Sequence, residues 1–165
     1  MTNTRIANRP GRHIVVVDIE NLAATPSPSC DDVVAAIHAL GEAIPGFASA
    51  HVVVACSHRA ALQVGVAVGR CRRLWRSGPD GADLALLEVL DTERIEERFE
   101  RVTVCSGDGI FADAVARLAG CGIDVGVVAI EGRLSARLRL AARRVSYLTP
   151  YLPPQAPIYA AKVAS

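Results

Sequence analysis

The feature of this sequence that most limits its fold is the alternation of short, continuous apolar runs with segments of helical periodicity. The first run, at residues 13–19, reads HIVVVDI and is apolar up to Asp18, which is typical of a strand buried on both faces of a sheet. Further strands are predicted at residues 51–55, 72–75, 102–106, 124–129 and 145–148. Strands of this kind recur along nearly the whole chain.

The segments between these strands carry apolar residues at the spacing of a helix. Helices are predicted over residues 31–44, 59–68, 82–90, 110–119 and 134–144. Ser57 is predicted to cap the second helix, and the charged stretch at 91–101 is interpreted as a solvated helical extension. Repeated strand–helix–strand units require right-handed crossovers between parallel strands. The predicted fold class is therefore α/β, a three-layer α/β/α sandwich around a mostly parallel central sheet.

The composition predicts one domain without membrane contact. A chain of 165 residues with 51% hydrophobic content fits one core, which we assign to residues 13–148, between an N-terminal arm (1–12) and a Pro-rich tail (149–165). The net charge of +1 excludes the basic excess of a nucleic-acid coat or membrane-surface binder. No apolar run approaches the roughly 20 residues of a membrane span, and no signal peptide is evident, so we expect a cytoplasmic protein. Five cysteines without a CxxC pair argue against a disulfide framework or a zinc cluster.

Acidic residues follow three of the predicted strands. Asp18 ends the first strand, Asp108 follows the fourth, and Asp83 lies in the first turn of the helix after the third. Because the carboxyl ends of parallel strands lie at one edge of a sheet, we expect these side chains to converge. Carboxylates brought together repel one another unless a cation is bound, and Mg²⁺ or Mn²⁺ prefers such oxygen ligands.

Each acid also has an ordinary structural explanation when considered alone. Asp18 can be a strand-end acid, Asp83 a first-turn acid favoured by the helix dipole, and Asp108 part of an Asx-type turn. Their joint placement at three strand ends favours a metal site. A dinucleotide-binding fold is disfavoured because no GxGxxG follows the first strand, and residues 18–22 lack the second Asp and the hydroxyl of a haloacid-dehalogenase-like phosphatase.

Three segments carry a resemblance to a known family. VVVDIEN at 15–21, GADLAL at 81–86 and VCSGDGIFADAVARLAGCGIDVGVVA at 104–129 resemble the signature regions of NYN domains, the branch of the PIN-like nuclease superfamily related to LabA-type bacterial proteins. The match spans about residues 13–148. Its most specific piece, Ser106-Gly107-Asp108 followed by Phe111, is similar to the SGDxDF segment of the family.

The resemblance implies a metal-dependent ribonuclease in which Asp18, Asp83 and Asp108 hold one or two Mg²⁺ or Mn²⁺ ions. Those ions would activate water for hydrolysis of an RNA phosphodiester and leave a 5′-phosphate. Asn21 would orient a metal-bound water or a substrate phosphate, and Ser106 would hydrogen-bond one of the carboxylates. A homodimer stays open as well, since PIN-like domains often dimerise.

The sequence departs from the family at one position, because Ile110 stands where SGDxDF has its second acid. Asp113 lies one helical turn further on, and Glu20 shares the side of Asp18 if the first strand continues through Ile19. Either carboxylate could replace the missing one. Alternatively, the chain is a catalytically degenerate NYN domain that acts as an RNA-binding or scaffolding module. The substrate-binding residues and the choice between Mg²⁺ and Mn²⁺ stay open.

Overall fold

The computed structural model describes residues 11–149, which contain six strands. The strands are β1 (His13–Asp18), β2 (His51–Cys56), β3 (Arg72–Trp75), β4 (Arg101–Cys105), β5 (Asp124–Ile130) and β6 (Arg144–Leu148). They form one sheet in the order β3-β2-β1-β4-β5-β6, and every neighbouring pair is parallel. The predicted α/β class with a parallel central sheet is confirmed.

Seven helices connect the strands within the described residues. They are α1 (Ile19–Ala23), α2 (Cys30–Ala43), α3 (Ala61–Ala67), α4 (Gly81–Thr92), α5 (Ile95–Arg98), α6 (Ala112–Gly120) and α7 (Ala136–Ala141). Short 3-10 turns at Phe47–Ser49 and Gly109–Phe111 complete the chain path. In the part of the chain that the structure describes, no helix is long and apolar enough to span a membrane.

The core consists of two apolar layers, one on each face of the sheet. All six residues of β1 are buried, and they alternate between the two layers. Ile14 and Val16 pack with residues of α4 and α6, whereas Val15 and Val17 pack with residues of α2 and α3. This alternation explains why β1 reads as a continuous apolar run, because both sides of a central strand are covered by helices.

Several local features differ from those predicted from the sequence. β1 ends at Asp18 and a helix begins at once with Ile19, so strand alternation does not place Glu20 beside Asp18. Ser57 is not a helix cap: α3 begins four residues later, and no side chain caps it. Residues 91–101 are not simply a solvated extension, because Ile95 and Phe99 are buried in the core. The predicted arm and tail lie outside the described residues except at Gly11, Arg12 and Thr149.

Candidate functional site

A cleft of about 230 Å³ lies at the carboxyl edge of the sheet, beside the ends of β1 and β4. These strands are neighbours although they are not consecutive, so the strand order reverses between them. Such a reversal is where ligands bind in open α/β sheets. The cleft is strongly acidic, since its lining includes the carboxylates of Asp18, Glu20, Asp80, Asp83 and Asp108. The three acids predicted to converge therefore face one cleft.

Asp18 is fixed by hydrogen bonds from two directions. Its Oδ1 accepts from the backbone N–H of Asn21 (3.2 Å), which caps α1, and its Oδ2 accepts from the Ser106 hydroxyl (3.1 Å), the kind of contact predicted for Ser106. The side chain is buried, with the residue 5% exposed. Burial raises the pKa of Asp18, while these hydrogen bonds oppose the rise. The carboxylate is thus held in one orientation at the strand end.

Asp83, in the first turn of α4, lies within hydrogen-bond reach of Asp18 in the cleft. Burial, and then the charge of Asp18, raises the pKa of Asp83 to about 8. When both carboxyl groups are ionised, neither offers a hydrogen to the other, and Oδ1 of Asp83 is buried without a hydrogen-bond partner. A proton on one group would complete a hydrogen bond between them. At neutral pH this pair therefore requires either a proton or a cation.

Asp108 lies in a more open setting than the other two acids, and its side chain is exposed. Its Oδ1 accepts from the backbone N–H of Ile110 (2.9 Å), which is the Asx-type turn considered above. Its own N–H donates to the Ser106 hydroxyl (3.2 Å), so Ser106 links Asp108 to Asp18. The charge of Asp108 also helps to raise the pKa of Asp83. Asp108 is thus electrostatically part of the cleft while it also shapes the turn.

The loop after β4 is held by backbone contacts. The Gly107 N–H donates to the side-chain oxygen of Asn21 (2.9 Å), and the Gly107 carbonyl accepts from the Ser135 N–H (2.9 Å). A Cβ on Gly107 would lie 2.2 Å from the carbonyl oxygen of Arg133, so no larger residue fits there. Asn21 lines the cleft, but its amide oxygen ties α1 to this loop. That oxygen is therefore engaged in positioning the loop, and the contact of Asn21 with a metal-bound water or phosphate stays a prediction.

The structure separates the two candidates for the fourth carboxylate. Glu20 lines the cleft, and its Oε1 accepts from the Ser57 N–H (2.9 Å). Asp113 is not among the residues that line the cleft; its side chain is 84% exposed and pairs with Arg137 at 2.7 Å. Ile110 itself packs against the core layer that contains α4 and α6. Of the two candidates, Glu20 lies in the cleft and Asp113 lies outside it, so the suggestion of Asp113 is corrected and Glu20 stays a prediction.

Two further cleft residues were not singled out from the sequence. Asp80 precedes α4 in a left-handed conformation (φ 52°), and Arg76 follows β3, where its N–H donates to the Cys56 carbonyl. Arg76 is the basic residue of the lining, and its guanidinium also lies 3.5 Å from Glu88. The sequence did contain a signal for both residues, which is their position in the chain. Arg76 directly follows a strand, and Asp80 lies in the turn before a helix.

The fit of the cleft to a divalent cation is partial. Asp18 and Asp83 suit a hard cation, because the buried Asp83 oxygen that has no hydrogen-bond partner could serve as a ligand to it. Among residues 11–149, however, no group of three His, Cys, Asp or Glu side chains is already arranged to hold a metal ion. Asp108, held by its own turn, would join such a site by rotating its carboxylate or through a water molecule. The three-acid metal set remains a prediction.

Comparison with known proteins bears on the fold alone. No protein-family model matches this chain, and no curated protein matches it. The fold is similar to that in a crystal structure of a protein of unknown function from Vibrio parahaemolyticus, with a TM-score of 0.53 and 16% identity, covering 90% of this chain and 96% of that one. At this identity the similarity shows the α/β fold, and the resemblance to NYN domains stays a prediction from the sequence.

Proposed function

We propose that this chain is a metal-dependent ribonuclease of the NYN, PIN-like kind that hydrolyses RNA phosphodiester bonds in the acidic cleft. The observation that carries the proposal is the facing pair Asp18 and Asp83, in which the pKa of Asp83 is raised to about 8 and one buried oxygen has no partner. Perturbed carboxyl groups of this kind in a cleft are typical of functional sites. Their position at the reversal of strand order supports the same conclusion.

The residues divide into ligands and residues that position them. Asp18 and Asp83 would hold Mg²⁺ or Mn²⁺, with Asp108 facing it from the loop after β4. Either ion, when bound, supplies an activated water and neutralises charge on the phosphate. Ser106 positions Asp18 and Asp108 together through its hydroxyl. Arg76 suits a phosphate oxygen of the substrate, because a guanidinium binds phosphate in two-pronged geometry.

A second candidate function is RNA binding without cleavage. The observation that favours it is the replacement of the second family acid by Ile110, which is partly buried and packs against the core, while Asp113 is paired with Arg137 outside the cleft. In that case the metal set would be incomplete for catalysis, and the chain would bind RNA without cleaving it. The catalytically degenerate domain would then act as a binding or scaffolding module.

The deciding experiment is cleavage of a fluorescently labelled single-stranded RNA by the purified full chain with Mn²⁺, Mg²⁺ or EDTA. We expect metal-dependent cleavage that falls about 100-fold or more in Asp108→Asn, since a ligand charge contributes several kcal/mol to the transition state. Asp113→Asn is the matched control, because Asp113 lies outside the cleft, and it should cleave like the wild type. Wild-type cleavage by folded Asp108→Asn would disprove the proposal, and RNA binding without any cleavage would favour the second function.

A further inference from the structure

A second cavity, of about 280 Å³, lies at the amino ends of the strands, at the opposite edge of the sheet from the acidic cleft. It forms where α2 ends over β1, β4, β5 and β6, near the first residues of β1, β4 and β6 and beside Gly126–Val128 of β5. Its polar lining comes from His13, Arg101, Thr103, Arg144 and Ser146, and its apolar wall includes Ile44 and Pro45. None of these residues lines the acidic cleft. The cavity is therefore separate from the acidic cleft.

Strand register places the polar residues side by side. Thr103 pairs with Gly126, and Gly126 pairs with Arg144, so the three form one row across β4, β5 and β6. His13 pairs with Arg101 two residues away along the strands, in the next row on the same face. Because residues two apart share a face of a strand, His13 and Thr103 lie on the same side as the layer that packs against α2. The cavity is thus an uncovered part of that face.

The charges at the cavity are mainly positive. Arg144 Nη2 lies 2.7 Å from Asp124, and Arg101 Nε lies 3.6 Å from the same carboxylate. Because two guanidinium groups share one carboxylate, these three side chains carry a net charge of +1. Both Arg side chains stay about half exposed, at 45% and 61%. Their remaining donors are available to a ligand, and guanidinium groups favour phosphate and carboxylate oxygens.

The cavity floor holds a buried polar pair. His13 and Thr103 are 8% and 6% exposed, and His13 Nε2 lies 2.9 Å from the Thr103 hydroxyl oxygen. Burial, and then the charge of Arg101, lowers the pKa of His13 to about 4, so the imidazole is neutral at neutral pH. When Nε2 carries the hydrogen, it donates to Thr103, and the Thr103 hydroxyl is free to donate into the cavity.

Gly126 leaves the floor open between these groups. A Cβ at this position would lie 3.9 Å from Arg144 Nη2 and 4.0 Å from the Thr103 hydroxyl oxygen, which are ordinary contacts. Packing therefore does not require glycine here, although glycine weakens the interior of a strand. A strand glycine without a packing reason is typical of a place where a ligand approaches the backbone closely.

We propose that this cavity binds a small phosphate-bearing anion. The guanidinium groups of Arg101 and Arg144 hold the phosphate oxygens, and the hydroxyls of Thr103 and Ser146 donate to them. A small organic group attached to the phosphate packs against Ile44 and Pro45. Inorganic phosphate and a phosphomonoester share this chemistry, and only the phosphomonoester uses the apolar wall.

The test is isothermal titration calorimetry of the full chain with inorganic phosphate, ribose 5-phosphate and ribose, at constant ionic strength. EDTA is present throughout, so that no phosphate is held at the acidic cleft through a divalent cation. We expect ribose 5-phosphate to bind and ribose not to bind. Tighter binding of ribose 5-phosphate than of inorganic phosphate identifies a phosphomonoester site, and equal binding identifies a site for phosphate itself; both support the proposal.

Three variants separate this site from general charge effects. Arg144→Gln should weaken binding about 10-fold or more, because it removes a charged hydrogen bond. Gly126→Val should do the same by filling the floor while all charges remain. Arg137→Gln is the matched control, since Arg137 is 63% exposed and also pairs with an aspartate at 2.7 Å, and it should bind like the wild type.

Three results would overturn the proposal. The first is the absence of binding of both phosphates to the wild type. The second is an equal affinity in the wild type and in Arg144→Gln, and the third is an equal loss of affinity in Arg144→Gln and Arg137→Gln. A thermal melt of each variant checks folding. Arg144→Gln keeps the test valid if Gly126→Val does not fold, because Arg144 is 61% exposed.

Discussion

At the scale of single residues, Asp83 shows how the fold changes the chemistry of a side chain. An exposed aspartate ionises near pH 4, whereas the pKa of Asp83 is about 8 in the folded chain. The main cause is burial, and the second is the neighbouring Asp18. Between these two pH values the folded chain keeps a proton that the unfolded chain releases. Stability that depends on this proton is lost as the pH rises.

Below about pH 6.5 the buried neutral His13, whose pKa is lowered to about 4, acts in the opposite direction, because the unfolded chain protonates it. We therefore expect the free energy of unfolding of the metal-free chain to fall as the pH rises from about 6.5 to about 8, where Asp83 acts without that opposition. Because Asp83 is partly exposed, solvent screening limits the change to the order of 2 kcal/mol. Asp83→Asn should remove most of this dependence and be more stable than the wild type near pH 8. Urea unfolding at several pH values, with EDTA present, measures the free energy of unfolding of the wild type and of Asp83→Asn. Asp113→Asn is the control, because the Asp113 side chain is exposed. An identical pH profile for wild type and Asp83→Asn would contradict the assignment.

The fourth carboxylate gives a second prediction at this scale. Glu20→Gln should raise the metal concentration that gives half-maximal RNA cleavage by about 10-fold, because divalent affinity rises with ligand charge. Asp113→Asn should leave that concentration unchanged. Ile110→Asp should lower it, at a cost in stability because Ile110 packs against the core. The measurement is RNA cleavage at increasing metal concentration for the wild type and the three variants. A metal requirement equal to that of the wild type in all three variants would show that no fourth carboxylate acts here.

The sequence predicted the residues of the cleft only in part. Asp18, Asp83 and Asp108 were predictable because strand ends in a parallel sheet lie at one edge, and the cleft indeed contains all three. Asp80 and Arg76 were missed although each lies next to a strand end or a helix start, because the path of the loop decides which of its side chains enter the cleft, and no periodicity encodes that path. Glu20 reached the cleft through a helical turn after β1, whereas the sequence suggested a continued strand.

At the scale of elements, the loop that follows β4 positions the acids. Gly107 joins three parts of the chain: its N–H binds Asn21 of α1, and its carbonyl binds Ser135 at the start of α7. Asp108 follows directly. A shift of this loop would therefore move Asp108 and the Ser106 hydroxyl relative to Asp18.

Gly107→Ala should destabilise the chain by about 1–3 kcal/mol, because its Cβ would lie 2.2 Å from the Arg133 carbonyl oxygen. Under the proposed function, RNA cleavage should fall as well. Gly120→Ala is the control, since nothing lies within 4 Å of its Cβ, and this helical position should gain about 0.5–1 kcal/mol. Thermal melts compare the stability of Gly107→Ala and Gly120→Ala with that of the wild type. A Gly107→Ala variant as stable as the wild type would show that the loop adapts without cost.

Strands and helices differed in how well the sequence predicted them. The bounds of β1 and β2 agree with the prediction to within one residue, because burial on both faces produces an apolar run with clear ends. Helix starts were less predictable. α1 has only five residues and begins at Ile19, which the sequence assigned to the first strand. α5 is short and lies among charged residues, although Ile95 is buried. Tertiary contacts decide such elements.

At the scale of the whole molecule, the order of strands brings the site together. The α/β class follows from the alternation of elements, but no local pattern says that β1 neighbours β4 in space. That neighbour relation places the end of β1 next to the loop after β4. The cleft thus draws its acids from three distant segments of the chain: the end of β1, the start of α4 and the loop after β4. A ligand that binds all three would stabilise the whole fold.

If the cleft holds Mg²⁺ or Mn²⁺, the metal should raise the melting temperature of the chain. At a concentration 100 times the dissociation constant, binding adds about 2.7 kcal/mol, which corresponds to roughly 5–10 °C for a domain of this size. The shift should grow from about pH 5 to pH 8, because the metal must displace the proton of Asp83. It should disappear in Asp18→Asn and Asp83→Asn, and persist in Asp113→Asn. Differential scanning calorimetry measures the melting temperature with millimolar metal and with EDTA. The absence of any difference near pH 8 would contradict a metal site. A difference without RNA cleavage would favour the binding module over the enzyme.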